Sequence, residues 1–206
     1  MNILVVTSSA LGDASVSSRL AHDFAAKAAA AATSATITVR DVGAEPSPHL
    51  TQATVSAIRG EATTDAERET LALSDTLIAE LRAADLVVIG SPMYNFGISS
   101  TLKTWFDHVL RARVTFQYTD NGPEGLLGGR RVVVVESRAG DYPPGTPNDS
   151  QEPHLRTMLG FMGLTDVTFV RVERLAFGPD ASAAAIAAAE STLADLAARR
   201  PDAIAA

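Results

Sequence analysis

Short apolar runs alternating with longer amphipathic stretches predict an α/β fold, a parallel sheet layered between helices. Two observations carry this. Runs such as Asp85–Ser91 (DLVVIGS) and Arg131–Ser137 (RVVVVES) are too short for helices, and their continuous apolar character suits strands covered on both faces. The chain of 206 residues is also 46% hydrophobic, enough to fill one substantial core.

The elements follow in order. Asn2–Thr7 (NILVVT) reads as the first strand, and the Ala-rich stretch from Ser15 to Ala32 as a strong helix former. Thr36–Asp41 (TITVRD) is the second strand. Pro46, Pro48 and Gly60 then break the chain around a short helical piece, Gln52–Arg59. Asp65 is placed to cap a helix reaching Ala84, with Leu71, Ser74, Ile78 and Leu81 on one face. Asp85–Ser91 is the third strand and Ile98–Arg111 the next helix. Val114–Gly129 reads as irregular, with an extended piece at Thr115–Thr119. Arg131–Ser137 is the fourth strand, and the proline- and glycine-rich stretch Arg138–Pro153 a long loop. A helix over Glu152–Met162, a fifth strand over Asp166–Val172 and a closing helix over Ala181–Arg199 complete one domain spanning 1–206.

Composition narrows the function. The net charge of −7 and the absence of a dense basic run give no support for nucleic-acid binding. The pairs Arg130–Arg131 and Arg199–Arg200 read as solvated ends. Without cysteine there are no thiolate metal sites, Fe–S clusters or cysteine nucleophile, and the four histidines lack metal-ligand spacing. No basic segment precedes the first apolar run, so no signal peptide is expected. No apolar run approaches the ~20 residues of a membrane span, and a cytoplasmic protein is the expectation.

In an open parallel sheet, ligands bind outside the carboxyl ends of the strands. Three turns there are unusual. The first, Ser8–Ser18 (SSALGDASVSS), sets Ser9, Ser15, Val16, Ser17 and Ser18 at a helix start, where hydroxyls and free amides suit an anion. Plain helix capping explains the same serines. Neither a GxGxxG fingerprint nor a P-loop is present, which disfavours a dinucleotide fold and nucleotide hydrolysis. The turn after the third strand breaks at Pro92 and carries Met93, Tyr94, Asn95 and Phe96. These suit a flat heteroaromatic ring, or alternatively cover a sheet edge or a dimer contact. The turn after the fourth strand, Ser137, Arg138, Ala139, Gly140, Asp141 and Tyr142, lets backbone approach a ligand closely. Arg138 is its obvious cation, unless it is merely exposed and solvated. A phosphate end, a flat-ring middle and a backbone-lined polar edge together fit FMN better than NAD.

At these residues the chain resembles the FMN-dependent NADH azoreductases, flavodoxin-like homodimers related to NAD(P)H:quinone reductases. The resemblance rests on SSALGDASVSS, on PMYNFGI followed by VTFQYTDNGPEGL, on SRAG and on LGFMGLTDVTFV, and extends over almost the whole chain. It implies a three-layer sandwich with strand order 2-1-3-4-5. It also implies that Ser9 and Ser15 to Ser17 hold the FMN phosphate, that Met93 to Phe96 cradle the isoalloxazine, and that Ser137 to Gly140 line its pyrimidine side. Phe116, Tyr118 and Phe161 match aromatic positions that roof the substrate pocket across a homodimer. Arg59 matches a position near the pocket mouth. Two departures stand out: Ala139 replaces the first glycine of the family's SRGG, and Tyr142 stands where some relatives have histidine.

The implied reaction is hydride transfer from NADH or NADPH to quinones and azo compounds by a ping-pong route, with no protein nucleophile and no metal. No catalytic side chain is therefore assigned. His108 reads as a packed or half-exposed helix residue, Asp149 and Glu152 as loop and helix-cap chemistry, and Trp105 as core or dimer surface. The competing reading is a flavodoxin-type electron carrier, and a third is a reductase that releases free reduced FMN.

Overall fold

Five of the apolar runs pair side by side in one parallel sheet, in the order β2 (Thr36–Asp41), β1 (Asn2–Thr7), β3 (Leu86–Pro92), β6 (Arg131–Ser137), β7 (Asp166–Val172). This is the expected 2-1-3-4-5 pattern, counted over the sheet's own strands. The computed structural model describes residues 1–198. The Arg199–Arg200 pair and the last residue of the expected closing helix lie outside them.

Strand periodicity divides the core in two. On one face, Leu4, Val6, Val87, Ile89, Val132 and Val134 meet α2 (Asp65–Ala83), α3 (Ser100–Val109) and α4 (Gln151–Phe161). On the other, Ile3, Val5, Val88, Val133 and Val135 meet α1 (Val16–Ala31) and α5 (Pro179–Ala198). All seven residues of β3 are buried, as its apolar run predicted. Each fully buried Leu or Phe on the covering helices contributes roughly 1.5–3 kcal/mol, so these two layers hold the sheet rigid beneath its loops. Trp105 is one of the core residues of the α2–α3–α4 layer and is fully buried within the single chain, which settles its reading in favour of core.

Four local expectations change. The cap of α2 is Thr64 rather than Asp65: its hydroxyl accepts from the Glu67 amide while the Glu67 carboxylate accepts from the Thr64 amide. Hydrogen bonds from Ser56 and from the amides of Thr64 and Thr63 hold that carboxylate well below its ordinary range. The helical piece at Gln52–Arg59 shrinks to a 3-10 turn over Val55–Ile58. Residues 114–129 are not irregular throughout: β4 (Phe116–Thr119) and β5 (Gly122–Gly125) form an antiparallel hairpin around Asp120 and Asn121. Arg130 and Arg131 are not solvated ends. Arg130 donates to the carbonyls of Leu81 and Arg82, closing the end of α2, and Arg131 donates to that of Leu196 in α5.

Candidate functional site

The strand order reverses between β1 and β3, so their connections leave in opposite directions and open a crevice at the carboxyl ends. The start of α1 sits over this crevice. Gly90 in β3 makes that possible, because a Cβ there would lie 3.1 Å from the Ser17 carbonyl oxygen. Ser8 ties the same corner together by donating to the Gly90 carbonyl at 3.0 Å.

The first turn keeps donors unused. Ser15 caps α1, its hydroxyl accepting from the Ser18 amide at 3.2 Å, so the capping reading is correct. The amides of Val16 and Ser17 nevertheless have no acceptor among the described residues, as helix geometry dictates for a first turn. Ser9, Ser15 and Ser17 are all buried, with the Ser15 and Ser17 hydroxyls 3.4 Å apart. Two amides, clustered hydroxyls and the positive end of a 16-residue helix converge on one spot.

The turn after β3 is held in an unusual shape. The Tyr94 amide donates to the Gly97 carbonyl at 2.9 Å and the Gly97 amide donates back at 3.0 Å. Asn95 and Phe96 between them take φ of 47° and 73°. A left-handed backbone is rare for a residue as bulky as phenylalanine and costs about 1 kcal/mol or more, so surrounding structure enforces it. The result is an exposed Phe96 ring and two amides, of Asn95 and Phe96, without acceptors among the described residues. Tyr94 accepts a bond from the Ala10 amide at 3.0 Å and locks this turn to the first one. Met93 is half-buried, its amide bonded to the Ser137 carbonyl at 2.9 Å, and Pro92 closes β3.

The turn after β6 corrects one expectation. Arg138 is not an exposed cation. Its side chain is completely buried and turned inward, paired with Glu136 at 2.9 Å, Asp149 at 3.1 Å and Glu173 at 3.1 Å. Burial works against its charge, and the Glu136 and Asp149 carboxylates outweigh it, so the guanidinium is more firmly protonated than usual. The backbone remains for a ligand: the amides of Ala139 and Gly140 have no acceptor among the described residues. The Tyr142 ring lies on Gly140, where a Cβ would come within 2.9 Å of it, and meets Phe96 edge-on at 6.1 Å. Three turns and two aromatic rings therefore frame one crevice.

The remaining expected residues fall elsewhere. Phe116, Tyr118 and Phe161 do come together, with centroids 4.6 to 6.5 Å apart. Phe161 ends α4, however, which sets the cluster at the amino end of the sheet, away from the crevice of the same chain. Tyr118 is 73% exposed. Arg59 is exposed at the end of the 3-10 turn. His108 is fully buried, its Nε2 2.9 Å from the Pro48 carbonyl oxygen, a packed residue. Asp149, one residue before the Ser150 N-cap, accepts from the first-turn Glu152 amide of α4 at 3.2 Å in addition to pairing with Arg138.

Sequence reasoning passed over Glu136. Its carboxyl is fully buried, pushed up to about 7 chiefly by that burial, with Arg138 acting against the shift. A carboxylate in the otherwise apolar run RVVVVES was the visible signal. Gln151 and Glu173, which complete the Arg138 cluster, had no such signature.

Chemically, the crevice offers helix-end amides and buried hydroxyls at one end, the Met93–Phe96 turn in the middle and, along one edge, amides without acceptors among the described residues. Residues 1–196 match a family model described as a flavodoxin-like fold. The chain is 49% identical over 198 residues to an FMN-dependent NADH:quinone oxidoreductase of Hyphomonas neptunium, covering 95% of each chain. It is 50% identical over 194 residues to FMN-dependent NADH:quinone oxidoreductase 6 of Burkholderia lata, covering 93% of this chain and 98% of that one. An FMN-dependent NADH-azoreductase from Bacillus anthracis, crystallised in complex with FMN, matches with a TM-score of 0.83 at 25% identity, over 96% of this chain and 100% of that one.

Proposed function

The chain belongs to the flavodoxin-like fold family and is an FMN-dependent oxidoreductase, and we propose that it carries hydride from NADH to quinones by a ping-pong route and cleaves azo compounds reductively at the same face. The observation that carries this is the convergence of three turns whose unused donors match the parts of FMN. The amides of Val16 and Ser17, with the hydroxyls of Ser9, Ser15 and Ser17, suit the phosphate. The slot bounded by Pro92, Met93, Tyr94, Asn95 and Phe96 suits the ring, and Ser137 with the amides of Ala139 and Gly140 suits its polar edge. The residues present fit the cofactor.

When bound, FMN supplies the redox chemistry, taking hydride from a nicotinamide and giving it to the acceptor. The protein binds, orients and tunes. The amides of Ala139 and Gly140 favour negative charge at the ring edge, and being fixed in advance they need no reorganisation to do so. Phe96 and Tyr142 bound the open side, where nicotinamide and acceptor take turns; that sharing of one face makes the order ping-pong. Proton supply is left to Tyr142 or solvent.

The one domain acts as a homodimer in this reading. Support comes from the Phe116–Tyr118–Phe161 cluster at the end of the sheet that its own crevice does not reach, where Phe116 is buried and half-buried Phe161 and exposed Tyr118 face outward from it. A partner chain brings it over the ring as a roof, with Arg59 at the pocket mouth. Among the described residues no helix is long and apolar enough to cross a membrane, and a need for NADH as reductant favours the cytoplasm in this reading.

The test is anaerobic and then steady-state. Purified protein loaded with FMN is expected to oxidise one NADH per flavin without oxygen, and to turn NADH over continuously, with parallel-line kinetics, when menadione or a soluble azo dye is added. Loss of all turnover with retained FMN would instead identify an electron carrier.

A further inference from the structure

Resting on the FMN reading, the geometry points to Arg138 as a positioning residue, one that never touches the cofactor but holds two of its three binding turns in register from behind. The guanidinium has five N–H donors, and all five are engaged. Nε donates to Gln151 Oε1 at 3.0 Å, Nη1 to the Tyr142 carbonyl at 3.2 Å and to Glu173 at 3.1 Å, and Nη2 to Glu136 at 2.9 Å and Asp149 at 3.1 Å.

The partners come from the end of β6 and its turn, from the start of α4 and from the stretch after β7. Glu136 is the strand residue beside Ser137. The Tyr142 carbonyl is the far end of the turn, and the Tyr142 amide is itself fixed by Glu173 at 3.1 Å. The turn is thus gripped at both ends, leaving Ala139 and Gly140 between the grips with their amides free. Gln151 passes the restraint to the other turn: its Nε2 donates to the Ser91 carbonyl at 2.9 Å and to the Ser91 hydroxyl at 3.1 Å. Next to it, Ser150 donates to the Phe96 carbonyl at 2.6 Å, across the strained part of that turn. The start of α4 therefore staples the β3 turn to the β6 turn, with Arg138 at the centre.

A lysine could not replace this arginine, because three donors on a point charge cannot reach five acceptors in a plane. Nor does bare ion pairing explain the arrangement. Two of the five acceptors are uncharged: the Tyr142 carbonyl on the β6 turn, and Gln151 at the start of α4, which bonds on to Ser91.

The test uses the full chain with FMN as the probe. Glu173→Ala removes the acceptor shared by Arg138 and the Tyr142 amide at a half-buried position. It is expected to weaken FMN binding about tenfold while the apo-protein still unfolds cooperatively. A loosened pair of amides is lost most to the more negatively charged reduced ring, so the bound flavin's midpoint potential becomes more negative, by about 30 mV for each tenfold preferential loss. Glu173→Gln keeps an acceptor oxygen and is expected to restore most of both. Ser150→Ala, at an exposed position that does not bear on the core, cuts the second staple and is expected to weaken FMN binding a few-fold. It serves if Glu173→Ala does not fold. Wild-type affinity and potential in these variants would overturn the positioning role alone, whereas a wild-type chain that binds no FMN would overturn the functional reading beneath it.

Discussion

The turn after β1 and the turn after β6 face the same crevice and solve opposite problems. The first contains no cation; Ser8, Ser9, Ser15 and Ser17 are buried and, among the described residues, its leading amides at the end of a helix have no acceptor. The second contains a full positive charge, yet that charge points away and is consumed by three carboxylates within the protein. In the proposed site, one turn offers open helix-end donors, and the other offers backbone alone and uses its cation as scaffold. An anion site of this kind needs no arginine, and an arginine in such a motif need not be a ligand.

Several measurements break or sharpen this contrast. The largest effect is expected for Arg138→Ala, which strands buried carboxylates and costs about 3–5 kcal/mol in urea unfolding of the apo-protein. Ser15→Ala should cost only about 1 kcal/mol, the value of a lost helix cap. Equal costs would erase the distinction between scaffold and open turn.

The Glu136 carboxyl gives the cluster a pH signature. Its folded pKa of about 7 lies above the ordinary 4.5, so the native chain holds a proton that the unfolded chain has released between those values. Stability is fully present below about 4.5 and falls as pH rises through about 7, by at most about 3 kcal/mol. Glu136→Gln is expected to remove that slope. A mutant whose stability between pH 5 and 8 tracks wild type would show that Glu136 stays ionised.

Ser17→Asp places a negative charge where the phosphate is proposed to bind. A repulsion of about 3 kcal/mol corresponds to at least a hundredfold weaker FMN binding in a fluorescence-quenching titration. Riboflavin, which lacks the phosphate, should be affected less than threefold. Similar losses for both ligands would move the phosphate elsewhere.

The smallest stability effect belongs to Phe96→Gly. Relief of the left-handed backbone and the added chain entropy of glycine nearly cancel, so thermal unfolding should shift by no more than about 1 kcal/mol. FMN binding should still weaken measurably, because a ring is lost from the slot.

Much of this was legible before the structure. Asn2–Thr7, Thr36–Asp41, Arg131–Ser137 and Asp166–Val172 match the observed strands end to end. Apolar continuity marks Asn2–Thr7 and Arg131–Ser137 as covered strands, while β-branched residues and bounding turns mark the edge strands Thr36–Asp41 and Asp166–Val172. The first strand of the 116–125 hairpin was read as the extended piece Thr115–Thr119, but its partner Gly122–Gly125 escaped, because a ribbon beside the core needs no apolar run and the Asp-Asn-Gly turn was its main cue. The cap moved from Asp65 to Thr64 because the choice depends on which side chain reaches the Glu67 amide. Arg138 shows the deeper limit. Its direction is decided by carboxylates 2, 11 and 35 residues away along the chain, and only the folded topology brings them together. The residues proposed to face a ligand through their backbone were easier to find than the one proposed to hold them in place.

The central claim is that FMN lies across the carboxyl end of the sheet, and the visible spectrum of the purified chain tests it most directly. The expected result is a yellow protein with one flavin per chain, bleached by NADH without oxygen. A colourless protein that takes up no flavin from excess FMN would contradict it.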